Sequence, residues 1–161
     1  MEIERKFLIR QVPPILRVCP RVEIEQGYVA VEGNGGTQVR LRRADNQFSL
    51  TIKKGQGSVR DEISLPIGRA HFERLWALTE GRRLVKTRFR IPFDDLIIEV
   101  DVYRQPAEGL MVAEVEFPDL HRCQSFTPPP WFAEEVTGDH RFGNVQLAAG
   151  GALESARLAA P

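Results

Sequence analysis

Hydrophobic and polar residues alternate along most of the chain, and this period of two is typical of strands that bury one face. The alternation predicts eight strands, at residues 1–10, 22–31, 36–43, 47–54, 58–66, 82–92, 95–103 and 110–118. Turn-forming stretches such as EGNGG (32–36) and KKGQG (53–57) separate neighbouring strands by only a few residues. Connections this short join antiparallel neighbours, so the pattern favours an antiparallel meander.

A different period predicts one helix between the fifth and sixth strands. Within residues 67–81, Phe72, Leu75 and Trp76 recur at helical spacing, and Gly81 suits a helix stop. The apolar stripe of such a helix needs an apolar surface to cover. We therefore expect this helix to pack on the apolar face of the predicted sheet.

The chain after residue 118 is predicted to cover the strands and not to extend them. The stretch FTPPPWF (126–132) cannot lie inside a sheet, because proline lacks the N–H group that a strand donates. The tail from Asn144 is rich in alanine and is predicted to be helical. No internal repeat or linker divides the sequence. We expect a single domain over residues 1–161, with the strands in 1–118 and a helical covering segment in 119–161.

The polar positions of the predicted strands are almost all ionisable, and their sign differs from strand to strand. Carboxylates dominate three strands, with Glu2 and Glu4 on the first, Glu99 and Asp101 on the seventh, and Glu114 and Glu116 on the eighth. Cations dominate three others, with Arg40 and Arg42 on the third, Lys53 on the fourth, and Lys86 and Arg88 on the sixth. One interpretation is a β-sandwich that exposes these charges to water. The other is an α+β, mainly β fold, in which an eight-stranded antiparallel sheet closes into a barrel with its charges inside and its helices outside.

The inside of such a barrel would hold an acidic and a basic sub-site. Clustered carboxylates repel by up to ~4 kcal/mol per close pair at an effective dielectric constant near 20, so they need cations. Ligands that offer only oxygen suit Mg²⁺ or Mn²⁺. Arginine forks and lysine ammonium groups equally need an anion, and phosphate oxygens match them. A metal-bound polyphosphate satisfies both sub-sites, and metal-assisted attack of water on phosphorus is the chemistry that this arrangement predicts.

Composition narrows the classes of partner. The 22 basic and 22 acidic side chains balance, which argues against a protein that coats nucleic acid or binds a membrane surface. No apolar run approaches the ~20 residues of a membrane span, and the acidic, periodic start predicts no signal peptide. Cys19 and Cys123 form no CxxC pattern and indicate a reduced, cytoplasmic protein. We expect a small-molecule polyphosphate or organic triphosphate as substrate, and the protein as a monomer or a homodimer.

The chain resembles the CYTH domain, or triphosphate tunnel metalloenzyme, superfamily in the order of its motifs. The first strand begins with ExExK, formed by Glu2, Glu4 and Lys6. The resemblance continues through QGY (26–28), QVRLR (38–42), LTIKK (50–54), VRDEISLPI (59–67), VKTRFRIP (85–92), IIEVDVY (97–103), GLMVAEVEFPD (109–119) and WFAEEVTGDHRFGN (131–144). It covers nearly the whole chain, and the last block is similar to the short stand-alone bacterial members.

This resemblance implies a barrel that encloses a tunnel for a triphosphate and a divalent metal, Mg²⁺ or Mn²⁺. It implies that Glu2, Glu4 and Glu116 are the primary metal ligands and that Glu114, Asp101 and Glu99 complete the acidic side. It implies a phosphate-binding set of Lys6, Arg40, Arg42, Lys53, Lys86 and Arg88, with Glu62 as a tunnel residue that orders the basic side chains. A Lys–Tyr pair activates water in some short members, and the matching positions are Lys86 and Tyr28. Neighbouring cations are expected to lower the pKa of Lys86, as a general base near neutrality requires.

The sequence departs from the family pattern at two positions. Ser64 stands where a second glutamate often follows Glu62, and Phe142 stands where many relatives carry tyrosine. The expected function is metal-dependent hydrolysis of inorganic tripolyphosphate or a related triphosphate. The alternatives are a class IV-type adenylate cyclase or a thiamine triphosphatase of the same fold, and a non-catalytic module that binds polyphosphate. The intact carboxylates argue against the last, since a pure anion binder would gain from losing them.

Overall fold

Eight strands make up most of the structure, a computed structural model that describes residues 2–33, 36–55 and 59–151. The strands are β1 (Glu2–Leu8), β2 (Arg21–Val31), β3 (Gln38–Ala44), β4 (Gln47–Lys54), β5 (Val59–Pro66), β6 (Arg83–Phe93), β7 (Leu96–Gln105) and β8 (Met111–Glu116). The helices are α1 (Arg69–Trp76), α2 (Leu120–Ser125) and α3 (Asn144–Gln146), with further helical turns at Pro14–Arg17, Ala77–Thr79, His140–Phe142 and Leu147–Gly151. Each strand that the alternation predicts is confirmed, with small shifts at its ends. In the part of the chain that the structure describes, no helix combines the length and the apolar character of a membrane span.

The strands form one strongly curled antiparallel sheet. Their order is β1–β5–β4–β3–β2–β6–β7–β8, and β1 also pairs with β8, so the two ends of the row meet. The β-sandwich interpretation is therefore wrong, and the antiparallel, mainly β fold is confirmed. Five residue pairs join β1 to β8, whereas among the described residues two pairs join β1 to β5, Glu2 with Arg60 and Ile3 with Val59.

Residues 133–137 continue the pairing of β1 beyond this short seam. The Leu8 amide donates to the Glu134 carbonyl at 2.9 Å, and the Leu8 carbonyl accepts from the Ala133 amide at 2.8 Å. The Lys6 carbonyl accepts from the Val136 amide at 2.8 Å. These bonds occupy the edge of β1 that faces away from β8, because the pairs with β8 use the alternate residues of β1. The C-terminal segment thus supplies hydrogen-bond partners to the part of the β1 edge that does not pair with β5.

The outer face of the sheet is apolar and carries the helices. Phe72 of α1 packs on Phe48 of β4 with ring centroids 4.9 Å apart, and it stacks on Trp76 at 5.1 Å. On another side of the sheet, Phe126 after α2 packs on Phe117 at 5.2 Å. Aromatic contacts of this kind add to the free energy of burial. The two coverings leave the opposite, charged face of the sheet turned inward.

One end of the inner space is apolar and is covered by the C-terminal segment. The buried residues that meet there are Leu8, Tyr28, Leu84, Tyr103 and Val112 from the strands, and Phe142, Leu147 and Ala148 from the C-terminal segment. The Tyr103 hydroxyl donates to Asn144 Oδ1 at 2.6 Å and ties the segment to β7. The predicted helical tail is helical from Asn144, but Gly150 leaves the helical region with a φ of 90°. Positions 152–161 lie outside the described residues.

A test of the packing uses Gly27 of β2, which lies against Thr79. A Cβ atom at Gly27 would come within 2.7 Å of the Cβ and Oγ1 atoms of Thr79. We expect Gly27→Ala to lower the free energy of unfolding by about 1–3 kcal/mol, because a filled site must shift to accept the methyl group. Gly33→Ala is the control, since a Cβ atom there meets nothing within 4 Å. Denaturant unfolding of both variants measures the difference, and equal stability of Gly27→Ala and wild type would contradict the close contact.

Candidate active site

A buried network of ion pairs joins β6, β7 and β8 on the inner face. Arg88 donates from Nε and Nη2 to the two Asp101 carboxylate oxygens at 2.7 Å each, and Lys86 also donates to Asp101. Arg88 reaches Glu114 at 2.9 Å and forms a further ion pair with Glu99. Lys86 and Asp101 have no exposed surface. The strand register produces this network, because it sets Arg88 directly opposite Asp101.

Lys6 extends the same network onto β1. Its Nζ atom lies 2.8 Å from Glu114 Oε1, and the two residues are directly opposite in the β1–β8 pairing. Burial disfavours both charges, but opposite charges around them outweigh it. Lys6 is stabilised by Glu114 and Asp101, and Glu114 is stabilised by Lys6, Arg88 and Lys86. The pKa of Lys6 is therefore raised and the pKa of Glu114 lies well below its ordinary value. Both side chains remain charged near neutral pH.

A second group of charges joins β1, β3, β4 and β5. Lys53 Nζ lies 3.1 Å from Glu2 Oε2 and also pairs with Glu62. Arg40 Nη2 lies 3.6 Å from Glu62 Oε1 and donates to the Thr51 hydroxyl at 3.2 Å. Glu62 thus contacts two of the predicted phosphate-binding cations. The family resemblance implied that Glu62 orders the basic side chains, and this role stays a prediction.

The guanidinium groups of Arg40 and Arg42 are only partly satisfied. Arg42 Nη2 donates to Gln26 Oε1 at 3.3 Å. The Nε atoms of Arg40 and Arg42 are buried and have no hydrogen-bond partner among the described residues. Burial and repulsion from Arg40 and Arg88 lower the pKa of Arg42 to about 10. Buried cationic donors without acceptors are costly, so this part of the inner face is suited to an anion.

Carboxylates crowd the opposite end of the inner space from the apolar cluster. Glu2, Glu62 and Glu116 line a cavity of about 290 Å³, and Glu4 faces Glu116 in the β1–β8 register. Burial and repulsion from Glu2 raise the pKa of Glu116. Like-charged oxygen donors in this state fit a hard divalent cation by their chemistry. Within the described ranges, however, no three Asp, Glu, His or Cys side chains are arranged so that they could hold a metal ion.

The pKa of Lys86 is lowered, as the sequence predicted, but the cause is partly different. Burial is the main cause and repulsion from Arg88 adds to it, and together they lower the pKa of Lys86 to about 7 although Asp101 opposes the change. The sequence reasoning named neighbouring cations alone. A fully buried amine with this pKa exchanges its proton near neutral pH.

The aromatic neighbour of Lys86 was missed by the sequence reasoning. Lys86 Nζ lies 5.5 Å from the centroid of the Tyr103 ring, directly across the β6–β7 pair. Tyr28 is buried nearby in the apolar cluster, where its hydroxyl accepts from Gln26. Burial raises the pKa of Tyr28 although Arg40 and Arg42 oppose the shift. Tyr103 is two residues after Asp101 and Gln26 is two residues before Tyr28, so each lies on the inner face with that neighbour. The alternation in the sequence could therefore have predicted the face of both residues.

Comparison with known proteins identifies the family. The chain is 40% identical over 149 residues to an inorganic triphosphatase of Nitrosomonas europaea, covering 91% of this chain and 96% of that protein. The chain belongs to the CYTH, or triphosphate tunnel metalloenzyme, family. It is also 33% identical to an inorganic triphosphatase of Acetivibrio thermocellus, over 91% of this chain and 92% of the relative. No protein-family model matches the chain.

Solved structures agree with membership of the CYTH family. The crystal structure of an inorganic triphosphatase superposes with a TM-score of 0.69 at 39% identity, over 92% of this chain and 95% of the other. A putative adenylyl cyclase from Hippeastrum, described as having a dominant triphosphatase activity, superposes with a TM-score of 0.58 at 15% identity. The superposition covers 77% of this chain and 83% of the other. At that identity the second comparison shows the shared fold alone.

The central network can be tested by removing one charge. We expect Asp101→Asn to lower the free energy of unfolding by about 3–5 kcal/mol, because it leaves Lys86 and Arg88 buried without their shared counter-charge. Asp95→Asn is the control, since Asp95 pairs with Arg122 on the exposed surface and should matter little. Denaturant unfolding of the two variants gives the comparison. A stability of Asp101→Asn equal to that of the control would show that Asp101 does not hold the network together.

Proposed function

We propose that this protein hydrolyses inorganic triphosphate with the help of a divalent metal bound on the inner face of the sheet. The observation that carries the proposal is the pair of buried Nε atoms of Arg40 and Arg42, which have no partner among the described residues. Such donors are stabilised by an anion with several oxygen acceptors. The relatives named inorganic triphosphatases, at 33% and 40% identity, support triphosphate as that anion.

We take the curled sheet to be a closed barrel around the substrate. The β1–β5 pairs and the hydrogen bonds of residues 133–137 along β1 support closure at the shortest seam. The apolar cluster covers one end of the space, so substrate enters at the other, beside Glu2 and Glu116. Exclusion of water in such an enclosure strengthens every charge interaction with a bound phosphate.

Cations of the inner face are proposed to bind the phosphate groups of the substrate. The proposed phosphate-binding residues are Lys6, Arg40, Arg42, Lys53, Lys86 and Arg88. In the structure, Lys53 is paired with Glu2 and Glu62, and Lys6 is paired with Glu114. A bound metal would compete for these carboxylates, and a bound phosphate would compete for the lysines. Substrate and metal together can therefore replace the internal ion pairs without leaving a charge unmatched.

The metal would be held at the acidic end of the site. Glu2, Glu4 and Glu116 are proposed as its ligands, because they are oxygen donors on neighbouring strands and the pKa of Glu116 is raised by burial and like charge. Their side chains would have to turn towards the cation, since they are not gathered around one point in the structure. Glu99, Asp101 and Glu114 are proposed to complete the acidic side. Mg²⁺ or Mn²⁺ held by these residues would supply positive charge to offset the charge of the phosphate, and Lewis acidity for the reaction.

Lys86 is proposed as the base and Tyr28 as the group that orients the water. Hydrolysis forms a bond from the water oxygen to a terminal phosphorus and breaks the bond from that phosphorus to its bridging oxygen. The products are orthophosphate and pyrophosphate, and the proton lost by water passes to the neutral amine of Lys86. The positive side chains around the phosphate stabilise the charge of the leaving group.

The activity can be tested directly on purified protein. Inorganic triphosphate with Mg²⁺ or Mn²⁺ is expected to yield orthophosphate and pyrophosphate, and EDTA is expected to stop the reaction because the acidic ligands lose their cation. ATP, thiamine triphosphate and long-chain polyphosphate are assayed in parallel. Cyclic AMP formed from ATP would overturn the hydrolase proposal in favour of a cyclase. Tight binding of triphosphate without turnover would identify a binding module instead.

The role of Lys86 has its own test in the dependence of kcat on pH. Because the amine must be neutral to accept a proton, and its pKa is lowered to about 7, kcat should rise as pH increases through about 7. Lys86→Arg should reduce kcat by about 10²–10⁴-fold, since arginine keeps its proton at these pH values. The control is Lys54→Arg, which makes the same substitution at an exposed lysine at the end of β4 and should leave kcat unchanged. If Lys86→Arg retains most of the activity, Lys86 acts as a cation and not as a base.

A further inference from the structure

Gln26 is a fully buried amide that the proposed reaction does not use. It lies on the inner face of β2, directly opposite Arg42 in the β2–β3 pairing. Its Oε1 atom accepts from Arg42 Nη2 at 3.3 Å, and its Nε2 atom donates to the Tyr28 hydroxyl oxygen at 3.1 Å. One side chain therefore touches both a proposed phosphate ligand and the proposed water-orienting group.

The chemistry of its two neighbours fixes which way the amide points. A guanidinium group carries only donors, so the side of Gln26 that faces Arg42 must present its oxygen. The NH₂ group is then directed to Tyr28. With the amide turned over, two donors would face each other and both Arg42 and Gln26 would lose a hydrogen bond in a buried place. The orientation thus follows from Arg42 and not from a choice between two equal alternatives.

This orientation also determines what Tyr28 can do. Because the Tyr28 oxygen accepts the hydrogen bond from Gln26, the single hydroxyl hydrogen of Tyr28 is left for another acceptor. On the other side, Gln26 engages one terminal nitrogen of Arg42, while the Nε atom of Arg42 keeps no partner among the described residues. The Gln26 amide thus makes one hydrogen bond to Arg42 and one to Tyr28. It leaves the Arg42 Nε–H and the Tyr28 hydroxyl hydrogen available to other acceptors.

We infer that Gln26 is a positioning residue that directs the Arg42 guanidinium and the Tyr28 hydroxyl hydrogen towards a triphosphate and its attacking water. The inference rests on the proposed function, since it concerns how the same site holds its substrate. A neutral amide is the group that fits this task. A carboxylate would neutralise Arg42 and take the Tyr28 hydrogen, and an apolar side chain would release both.

The test compares two replacements of similar size at this position. Gln26→Met removes both hydrogen bonds and is expected to raise KM for inorganic triphosphate about tenfold and to lower kcat about tenfold, as the loss of hydrogen bonds to charged and reacting groups implies. Gln26→Glu keeps the shape and should lower kcat further, because it holds Arg42 and Tyr28 away from the substrate. Gln47→Met and Gln47→Glu are the matched controls at an exposed position of β4 and should equal wild type.

A double-variant comparison separates positioning from a merely structural role. In a Tyr28→Phe background, Gln26→Met should cause no further loss of kcat, since the hydroxyl through which it acts is gone. The rise in KM should persist there, because it acts through Arg42. Thermal unfolding of each variant shows whether the fold is kept, and Gln26→Glu decides the matter if Gln26→Met does not fold.

Two results would overturn the inference. One is a KM and kcat of both Gln26 variants within twofold of wild type, and the other is a loss of kcat from Gln26→Met that is equally large in the Tyr28→Phe background. Failure of the proposed function is distinguishable, because wild-type protein would then release no phosphate from triphosphate. In that case calorimetric binding of triphosphate decides: about tenfold weaker binding to Gln26→Met supports the effect on Arg42, and equal binding refutes it.

Discussion

Three ionisable side chains of β6 and β7 are buried together. Asp101 accepts hydrogen bonds from both Lys86 and Arg88, and none of the three has more than a small exposed fraction. Charges can be enclosed only if each finds a partner of opposite sign, because burial alone costs several kcal/mol per ion. The network therefore requires the register of β6 with β7 and of β7 with β8. Much of the inner face is arranged around this requirement.

On the other strands, fewer of the charged side chains that the structure describes have a partner of opposite charge. A ligand fits at these positions. Arg40 and Arg42 keep buried donors without partners among the described residues, while the pKa of Glu116 is raised by burial and by Glu2. The part of the inner face around Arg40 and Arg42 thus favours an anion, and the acidic end favours a cation. A metal-bound triphosphate carries both, and the CYTH-family relatives named inorganic triphosphatases are consistent with it. The proposed function rests on these places, where the internal charges are not balanced.

The apolar end of the inner space complements this charged region. Leu84, Tyr103 and Phe142 meet there beneath the C-terminal segment, and Tyr103 connects that segment to the neighbourhood of Lys86. Phe142 is buried in the apolar cluster, so a hydroxyl group added to its ring would need a hydrogen-bond partner of its own. The apolar end keeps Lys86 away from water, and burial is the main reason why its pKa is lowered.

The sequence by itself determined the strands and the face on which each charged residue lies. Alternation requires only that a strand bury one side, and it is therefore visible in Glu2 and Glu4 or in Arg40 and Arg42 without any knowledge of neighbours. Tertiary structure decided which charges meet. It set Asp101 against Arg88, placed Tyr103 beside Lys86, and gave Gln26 its two partners. It also brought residues 133–137 to the edge of β1. These contacts depend on strand order, register and the path of the C-terminal segment, which join residues far apart in the chain and leave no periodic signal within it.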